Sequence, residues 1–244
     1  MDYSALLLSE NAALADLVHG ADHTVPVPTC PGWTIRKLAA HIARGDRWAA
    51  TIIRTRATER VDPRTVPGGE QPADLDAERE WVRGGAQAIL DAVAEVGGGT
   101  EVWTFTGPKP AAWWIRRRLH EQTVHRADAA LALGRPFEIA PELAADGLSE
   151  WFDIVASRPE SPLPDGATLH LHATDDGLGE DGEWVLRGTP SGVVWEHGHE
   201  KADAAVRGTA ADLLLAALRR TVDGVEVLGD AEVWKRWLDH TDFA

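Results

Sequence analysis

The sequence LHEQTVHRAD at Leu119–Asp128 predicts a helix that carries metal-binding side chains. Glu121 and His125 are spaced i, i+4, so on a helix they lie one turn apart on the same face. A second histidine, His41, stands in an upstream helical stretch at a position where the pattern requires an apolar residue. Two histidines and one carboxylate that converge in a helical bundle would form a metal site with open coordination positions, which is the arrangement of catalytic zinc.

The spacing distinguishes this stretch from the zincin motif H-E-x-x-H, which it superficially matches. In that motif both histidines bind the metal and are spaced i, i+4. Here His120 and His125 are spaced i, i+5, which separates them by about 140° around a helix of about 3.6 residues per turn. We therefore expect Glu121 and His125 to be ligands and His120 to lie outside the site.

Each of these residues also has an ordinary structural explanation. His41 could be a buried histidine that donates to a carbonyl, and Glu121 with His125 could be an exposed polar pair. The pattern favours an inward orientation, because apolar residues flank the same face: Trp114, Val124 and Leu131. A buried carboxylate without a partner is costly, and a metal would satisfy it. Asp128 could orient a ligand imidazole or form a surface salt bridge with a neighbouring arginine.

Other candidate sites are weaker. His170/His172 and His197/His199 are spaced i, i+2, which places each pair on one face of a strand. No third ligand is evident near either pair, so we expect them on the solvent face of an antiparallel sheet. Cys30 has no basic neighbour in sequence, and we expect a packed thiol. Three tryptophans near the presumed site could line a substrate pocket: Trp103, Trp113 and Trp114.

The periodicity of the chain changes at a proline-rich segment. Before it we predict helices at about 3–19, from Thr34 to about 54, 73–96 and 111–133, and a fifth around 148–155. After it, short strands at 168–174, 183–188, 193–197, 202–208 and 225–228 accompany helices at 209–220 and 232–240. We predict an all-α domain at 1–157, a linker at 158–166 and a smaller α+β domain at 167–244.

Composition restricts the class of protein. The chain has 244 residues and a net charge of −15, which argues against binding nucleic acid or an anionic membrane. A single cysteine excludes an internal disulfide and fits a reducing cytosol. The sequence contains no apolar run of membrane-spanning length and no basic leader at Met1–Ser4. We expect a cytoplasmic protein without a membrane or nucleic-acid partner.

Three separate stretches resemble one known family, the mycothiol-dependent maleylpyruvate isomerases. Val27–His41, VPTCPGWTIRKLAAH, resembles the family's N-terminal signature. His120–Ala129, HEQTVHRADA, resembles its second metal segment. Ala210–Arg220 together with Val225–Asp230 resembles its C-terminal domain. The stretches occur in the family's order and span nearly the whole chain.

The resemblance implies a DinB-like up-down four-helix bundle that holds a divalent metal, usually zinc, on His41, Glu121 and His125. It also implies a C-terminal α+β domain related to sterol-carrier folds. An arginine of that domain would reach the active site, and Arg220 matches it best, with Arg219 adjacent. The thiol cosubstrate of the family is mycothiol.

The resemblance therefore implies an enzyme that activates a thiol for addition to an electrophile or an unsaturated dicarboxylate. Addition, rotation and elimination would make a maleylpyruvate-type cis–trans isomerase, whereas addition alone would make a thiol S-transferase. We favour S-transfer slightly, since nothing in the sequence indicates the aromatic-degradation pathway of the strict isomerase. The alternative is a non-catalytic module that binds a metal or a small ligand.

Overall fold

The computed structural model describes residues 1–221 and 223–242, and the chain divides into two units, Met1–Phe137 and Glu138–Ala244. The first unit is built on four long helices: α1 Tyr3–His19, α2 Ile35–Arg54, α3 Leu75–Val96 and α4 Trp113–Ala132. A two-stranded antiparallel ribbon, β1 Glu101–Val102 and β2 Lys109–Pro110, precedes α4. A short 3₁₀ turn, Pro63–Thr65, interrupts the loop after α2.

The bundle forms because each helix buries an apolar stripe and begins at a suitable residue. The carboxylate of Asp2 caps α1 by accepting hydrogen bonds from the backbone amides of Ser4 and Ala5, and Asp74 caps α3 in the same way. Helix α1 packs on α3 and α4, and α2 packs on α3 and α4. The fully buried apolar side chains include Leu7, Leu14, Ile35, Leu38, Ile42 and Ile89. The predicted four-helix domain is confirmed.

Helix α4 differs from the others because half of its buried side chains are polar or charged. The buried members are Arg117, Arg118, His120, Gln122, Thr123, His125 and Asp128. Buried polar groups are costly unless they have partners. The interior of the bundle along α4 is therefore a polar network, and this network contains the predicted site.

The second unit is a mixed sheet with three helices. Its elements are α5 Pro141–Ala156, β3 Thr168–Ala173, β4 Glu183–Thr189, β5 Gly192–His197, β6 Ala204–Gly208, α6 Ala210–Ala217, β7 Glu226–Gly229 and α7 Ala231–His240. The strand order is β5-β4-β3-β6-β7, with β3 parallel to β6 and the other pairs antiparallel. The fold is therefore α plus α+β, as predicted.

One face of this sheet carries the core of the second unit. Leu169 and Leu171 of β3 and Trp184 of β4 are fully buried, and the Trp184 indole donates to Ser149 Oγ of α5 at 2.9 Å. The alternate residues of β3, His170 and His172, point to the opposite face. The helices thus cover one face of the sheet and leave the histidines on the other.

The division between the units differs from the predicted one. Helix α5 packs on α6 and β5, so it belongs with the sheet, and the division falls after Phe137 rather than at 157. The segment 158–166 is packed within the second unit, where the Gly166 amide donates to the Gly188 carbonyl at 3.0 Å. A proline-rich composition is common to linkers and to packed turns, so it did not distinguish them.

Two further details bear on function. Helix α6 ends at Ala217, three residues before the predicted end, and Arg219 adopts a left-handed conformation with φ of 60°. Within the described residues, each helix is too short or too polar to cross a bilayer.

Candidate metal centre

The bundle brings His41 of α2 and Glu121 of α4 into direct contact. The distance from His41 Nε2 to Glu121 Oε1 is 2.8 Å. The side chains are 40% and 23% exposed, respectively, so a small molecule can approach this pair. Residues 80 positions apart in sequence meet here because α2 and α4 pack against each other.

His125 completes the group predicted from the helical spacing. One ligand atom each of His41, Glu121 and His125 lies within 4.8 Å of the other two. The two imidazole centroids are 5.0 Å apart. The i, i+4 spacing on α4 therefore does place Glu121 and His125 toward the same partner on α2.

Asp128 holds the other nitrogen of the His125 ring. The His125 Nδ1 to Asp128 Oδ2 distance is 2.8 Å, and Asp128 is fully buried. Its other oxygen accepts the Thr29 hydroxyl at 2.6 Å. Of the two roles considered for Asp128, the surface salt bridge is wrong because the carboxylate is inside the bundle. The arrangement fixes the ring and leaves Nε2 as the ligand atom, as carboxylate–histidine–metal triads do.

Arginines hold the second oxygen of Glu121. Arg118 Nη1 lies 2.6 Å from Glu121 Oε2, and Arg117 Nε lies 3.8 Å from the same oxygen. Burial raises the pKa of Glu121, but the charge of Arg118 and the hydrogen bond from His41 outweigh burial and hold that pKa well below its usual range. Glu121 is therefore ionised, with Oε1 directed to the histidines.

Arg118 is itself positioned by a buried acid. Its Nε donates to Asp46 Oδ1 at 2.8 Å, and Gln122 Nε2 donates to both Asp46 oxygens at 3.0 and 2.9 Å. Asp46 lies on α2, five residues after His41, and is fully buried. The Asp46–Arg118–Glu121 chain thus links the two helices that carry the candidate ligands.

The donor set fits a divalent transition metal. Burial lowers the pKa of His125, although Asp128 opposes the shift, so the imidazole is neutral and keeps a lone pair for a metal. Two imidazoles and one carboxylate, with a buried acid behind one ring, match the ligands and the supporting shell of catalytic zinc.

Of the remaining candidates in this unit, one agrees with prediction and one differs. Cys30 packs against the core of the bundle, as expected of a packed thiol, and its Sγ also borders the site, 3.5 Å from Asp128 Oδ2. Trp114 is 1% exposed and belongs to the core. It packs edge-on with Trp48 and Trp113 at centroid distances of 5.5 and 5.1 Å. His120 is buried and lies outside the three groups of potential metal ligands found among the described residues.

Arg220 lies in the second unit, beyond the end of α6. Its Nη1 donates to the Leu218 carbonyl at 2.7 Å, and its side chain is partly buried. Arg219 is exposed and donates to the Leu238 carbonyl at 2.6 Å. The Arg220 guanidinium therefore lies against the backbone at the end of α6.

Three residues around the site were missed by the sequence analysis. Trp33 lies against both histidine rings, at centroid distances of 4.7 Å from His41 and 5.8 Å from His125. Arg118 and Asp46 were also missed. Asp46 gave a signal, since a carboxylate at a buried position of an amphipathic helix requires a cationic partner. Trp33 gave none, because it lies in a loop.

Family models match both units of the chain. Residues 5–130 match the mycothiol maleylpyruvate isomerase N-terminal domain, and residues 142–236 match the MDMPI C-terminal domain. The chain belongs to the mycothiol maleylpyruvate isomerase family. The resemblance that the three sequence stretches carried is confirmed.

Two solved structures share the fold of this family member. A crystal structure of the mycothiol-dependent maleylpyruvate isomerase is 19% identical with a TM-score of 0.64, covering 93% of this chain and 91% of that chain. A histidine-to-alanine mutant of that isomerase gives 18% identity and the same TM-score and coverage. Among curated proteins, no sequence matches.

Proposed function

We propose that this family member is a metal-dependent enzyme that uses mycothiol, with His41, Glu121 and His125 as the metal ligands. The observation that carries the proposal is the convergence of these three side chains, whose ligand atoms lie within 4.8 Å of one another. The names of the family and of the solved structures support the thiol and the isomerase chemistry. The cytoplasm is the compartment that we propose for it.

The surrounding residues have separate roles in this proposal. Asp128 orients His125 by holding Nδ1 at 2.8 Å. Arg118 keeps Glu121 ionised and fixes its Oε2, which leaves Oε1 for the site. Trp33 lies against both histidine rings and supplies an apolar surface beside them.

The chemistry needs a thiolate, whereas a free thiol has a pKa of about 8.5 and is mostly protonated at neutral pH. A divalent metal in this site would lower the pKa of the thiol, because a thiol that coordinates a metal ion is deprotonated. Addition of the sulfur to a conjugated double bond forms a carbon–sulfur bond. The addition leaves an enolate in which the former double bond is a single carbon–carbon bond. Rotation about that bond and expulsion of the thiolate give the isomer, whereas protonation of the enolate by solvent gives the S-conjugate.

The proposed substrate is a small electrophile or an unsaturated dicarboxylate. We propose that Arg220, or Arg219 beside it, pairs with a substrate carboxylate, since a guanidinium binds a carboxylate through two parallel hydrogen bonds. This assignment rests on the family resemblance of Ala210–Arg220. The net charge of −15 makes nucleic acid an unsuitable partner.

An activity screen tests the proposal. The zinc-loaded enzyme is incubated with mycothiol and either maleylpyruvate or a panel of electrophiles, and free thiol and product mass are followed. An isomerase consumes substrate while thiol remains constant, whereas an S-transferase consumes one thiol per product. The Glu121→Ala variant should be inactive and the His120→Ala variant active. Equal activity of the two variants would refute the assignment of Glu121 as a metal ligand.

Metal removal distinguishes a catalytic metal from one that only stabilises the fold of a non-catalytic module. A site with three protein ligands should lose its metal while the bundle stays folded, and activity should return with zinc. If stripping the metal from this site melts the helical signal, the metal holds the fold together and the catalytic proposal fails.

A further inference from the structure

The face of the second unit's sheet opposite its helices carries a cluster of histidines around one carboxylate. His170 and His172 alternate on β3 and therefore share this face. Glu183 of β4 is the register partner of His172, so it projects from the same face beside them. His199 follows the end of β5 by two residues and joins the group from the adjoining loop.

All three rings converge on a single oxygen, Glu183 Oε2. It lies 2.8 Å from His170 Nε2, 3.3 Å from His172 Nδ1 and 2.6 Å from His199 Nδ1. The ring centroids are 5.1–6.0 Å apart. His170 is 5% exposed, so its polar edge faces the cluster instead of water.

Hydrogen bonds alone do not explain this convergence. An ionised carboxylate offers about four lone-pair positions, two on each oxygen. Hydrogen bonds from His170 and His199 fill both positions of Oε2. The His172 nitrogen, at 3.3 Å, lies against the same oxygen without a hydrogen bond to it. Four ligand atoms around a zinc ion, with bonds of about 2.0–2.1 Å, are about 3.3 Å apart at the edges of a tetrahedron. The distance from Glu183 Oε2 to His172 Nδ1 equals that edge at 3.3 Å, and the distances to His170 and His199 are shorter, at 2.8 and 2.6 Å.

We propose that His170, His172, His199 and Glu183 form a second metal site, which binds a divalent transition ion such as zinc. Three imidazoles and one carboxylate suit zinc and its neighbours in the transition series, whereas calcium and magnesium prefer oxygen ligands. Four protein ligands leave no open position, so the site is structural. It joins β3, β4 and the segment after β5.

This site is independent of the proposed catalytic centre. Its four ligands lie in the second unit, and His41, Glu121 and His125 lie in the first. The two assignments can therefore fail separately. His197 and His199 are exposed as predicted, whereas His170 is buried. The expectation that His170 and His172 have no third ligand is wrong, because Glu183 lies opposite His172 and the chain after His197 carries His199 to the same place.

Zinc stoichiometry tests the proposal. Protein without a polyhistidine tag is stripped, reloaded with zinc, dialysed and analysed for zinc per chain. The parent should hold two zinc ions, and His199→Ala should hold one. His199 is largely exposed at the edge of the sheet, so its loss should not affect folding. His197→Ala is the matched control, since His197 contacts the Glu183 carbonyl and not the carboxylate.

The catalytic centre is removed independently with Glu121→Ala. That variant should keep one zinc, which disappears when His199→Ala is added. The zinc affinity of this remaining site should fall at least a hundredfold on substitution of His199, since losing only a supporting partner of a ligand costs about 10–100-fold. Two results would overturn the proposal. The first is a zinc content of the Glu121→Ala protein that is the same with and without His199→Ala. The second is a zinc content of that protein that falls as much with His197→Ala as with His199→Ala.

Discussion

Gly85 of α3 allows Asp46 to occupy the interior of the bundle. A Cβ at position 85 would lie 2.7 Å from Asp46 Oδ2 and 2.8 Å from Asp46 Cβ. Asp46 cannot retreat freely, because Arg118 and Gln122 bind it from α4. Gly85→Ala should therefore push Asp46 off its partners and loosen the Arg118 side chain that holds Glu121.

The expected destabilisation by Gly85→Ala follows from three terms. Overpacking a buried position costs about 1–3 kcal/mol, and weakening hydrogen bonds to a charged group costs about 1.5–3 kcal/mol more. Alanine in a helix returns about 1 kcal/mol relative to glycine. The bundle should lose about 1.5–5 kcal/mol of unfolding free energy.

Gly84→Ala is the matched control, one residue away on the same helix. Gly84 is exposed, and a Cβ there would meet only Arg47 Nη2 at 3.6 Å, which is an ordinary contact. This variant should gain up to about 1 kcal/mol. Urea unfolding followed by the helical circular-dichroism signal measures both. If Gly85→Ala is as stable as Gly84→Ala, Asp46 is not fixed where the structure has it, and the account of Glu121 positioning is refuted.

Three further predictions test the site. Asp128→Asn should lower zinc affinity at the first site about 10–100-fold while the fold is kept, because the His125 ring loses its charged acceptor; a competition titration against a chelator that finds no change would contradict this. His120→Ala should retain the zinc that His125→Ala loses. If elemental analysis finds the reverse, the metal ligands have been assigned to the wrong face of α4. Arg220→Ala should reduce kcat/KM roughly 30- to 150-fold, or about 2–3 kcal/mol, with zinc content unchanged. Full activity in both Arg220→Ala and Arg219→Ala would mean that neither arginine binds substrate.

The helices were predictable where an apolar periodicity marks them strongly, as in α2, α3 and α7. On α4 the helical period alone placed Glu121 and His125 toward one partner, since Leu131, expected to flank them in the core, is 43% exposed. Pairing with His41 followed from a histidine within the apolar pattern of α2, although its side chain is 40% exposed. Local pattern was sufficient wherever a single helix determined the direction of a side chain.

Features that depend on tertiary packing were not predictable. Trp33 and Cys30 reach the site from a loop, whose path no periodic pattern describes. The i, i+2 rule placed His197 and His199 on one face, but β5 ends at His197, so the rule did not extend to His199. The boundary after Phe137 depends on which unit α5 packs against, which is a property of distant residues.

X-ray absorption at the zinc edge tests the central claim directly, that the His41, Glu121 and His125 site receives the thiol. The His199→Ala variant is used so that zinc occupies one site. Without thiol, the zinc should have only nitrogen and oxygen neighbours at about 2.0–2.2 Å, and mycothiol should add a sulfur neighbour at about 2.3 Å. A zinc shell that remains free of sulfur while the enzyme turns over with mycothiol would contradict the account.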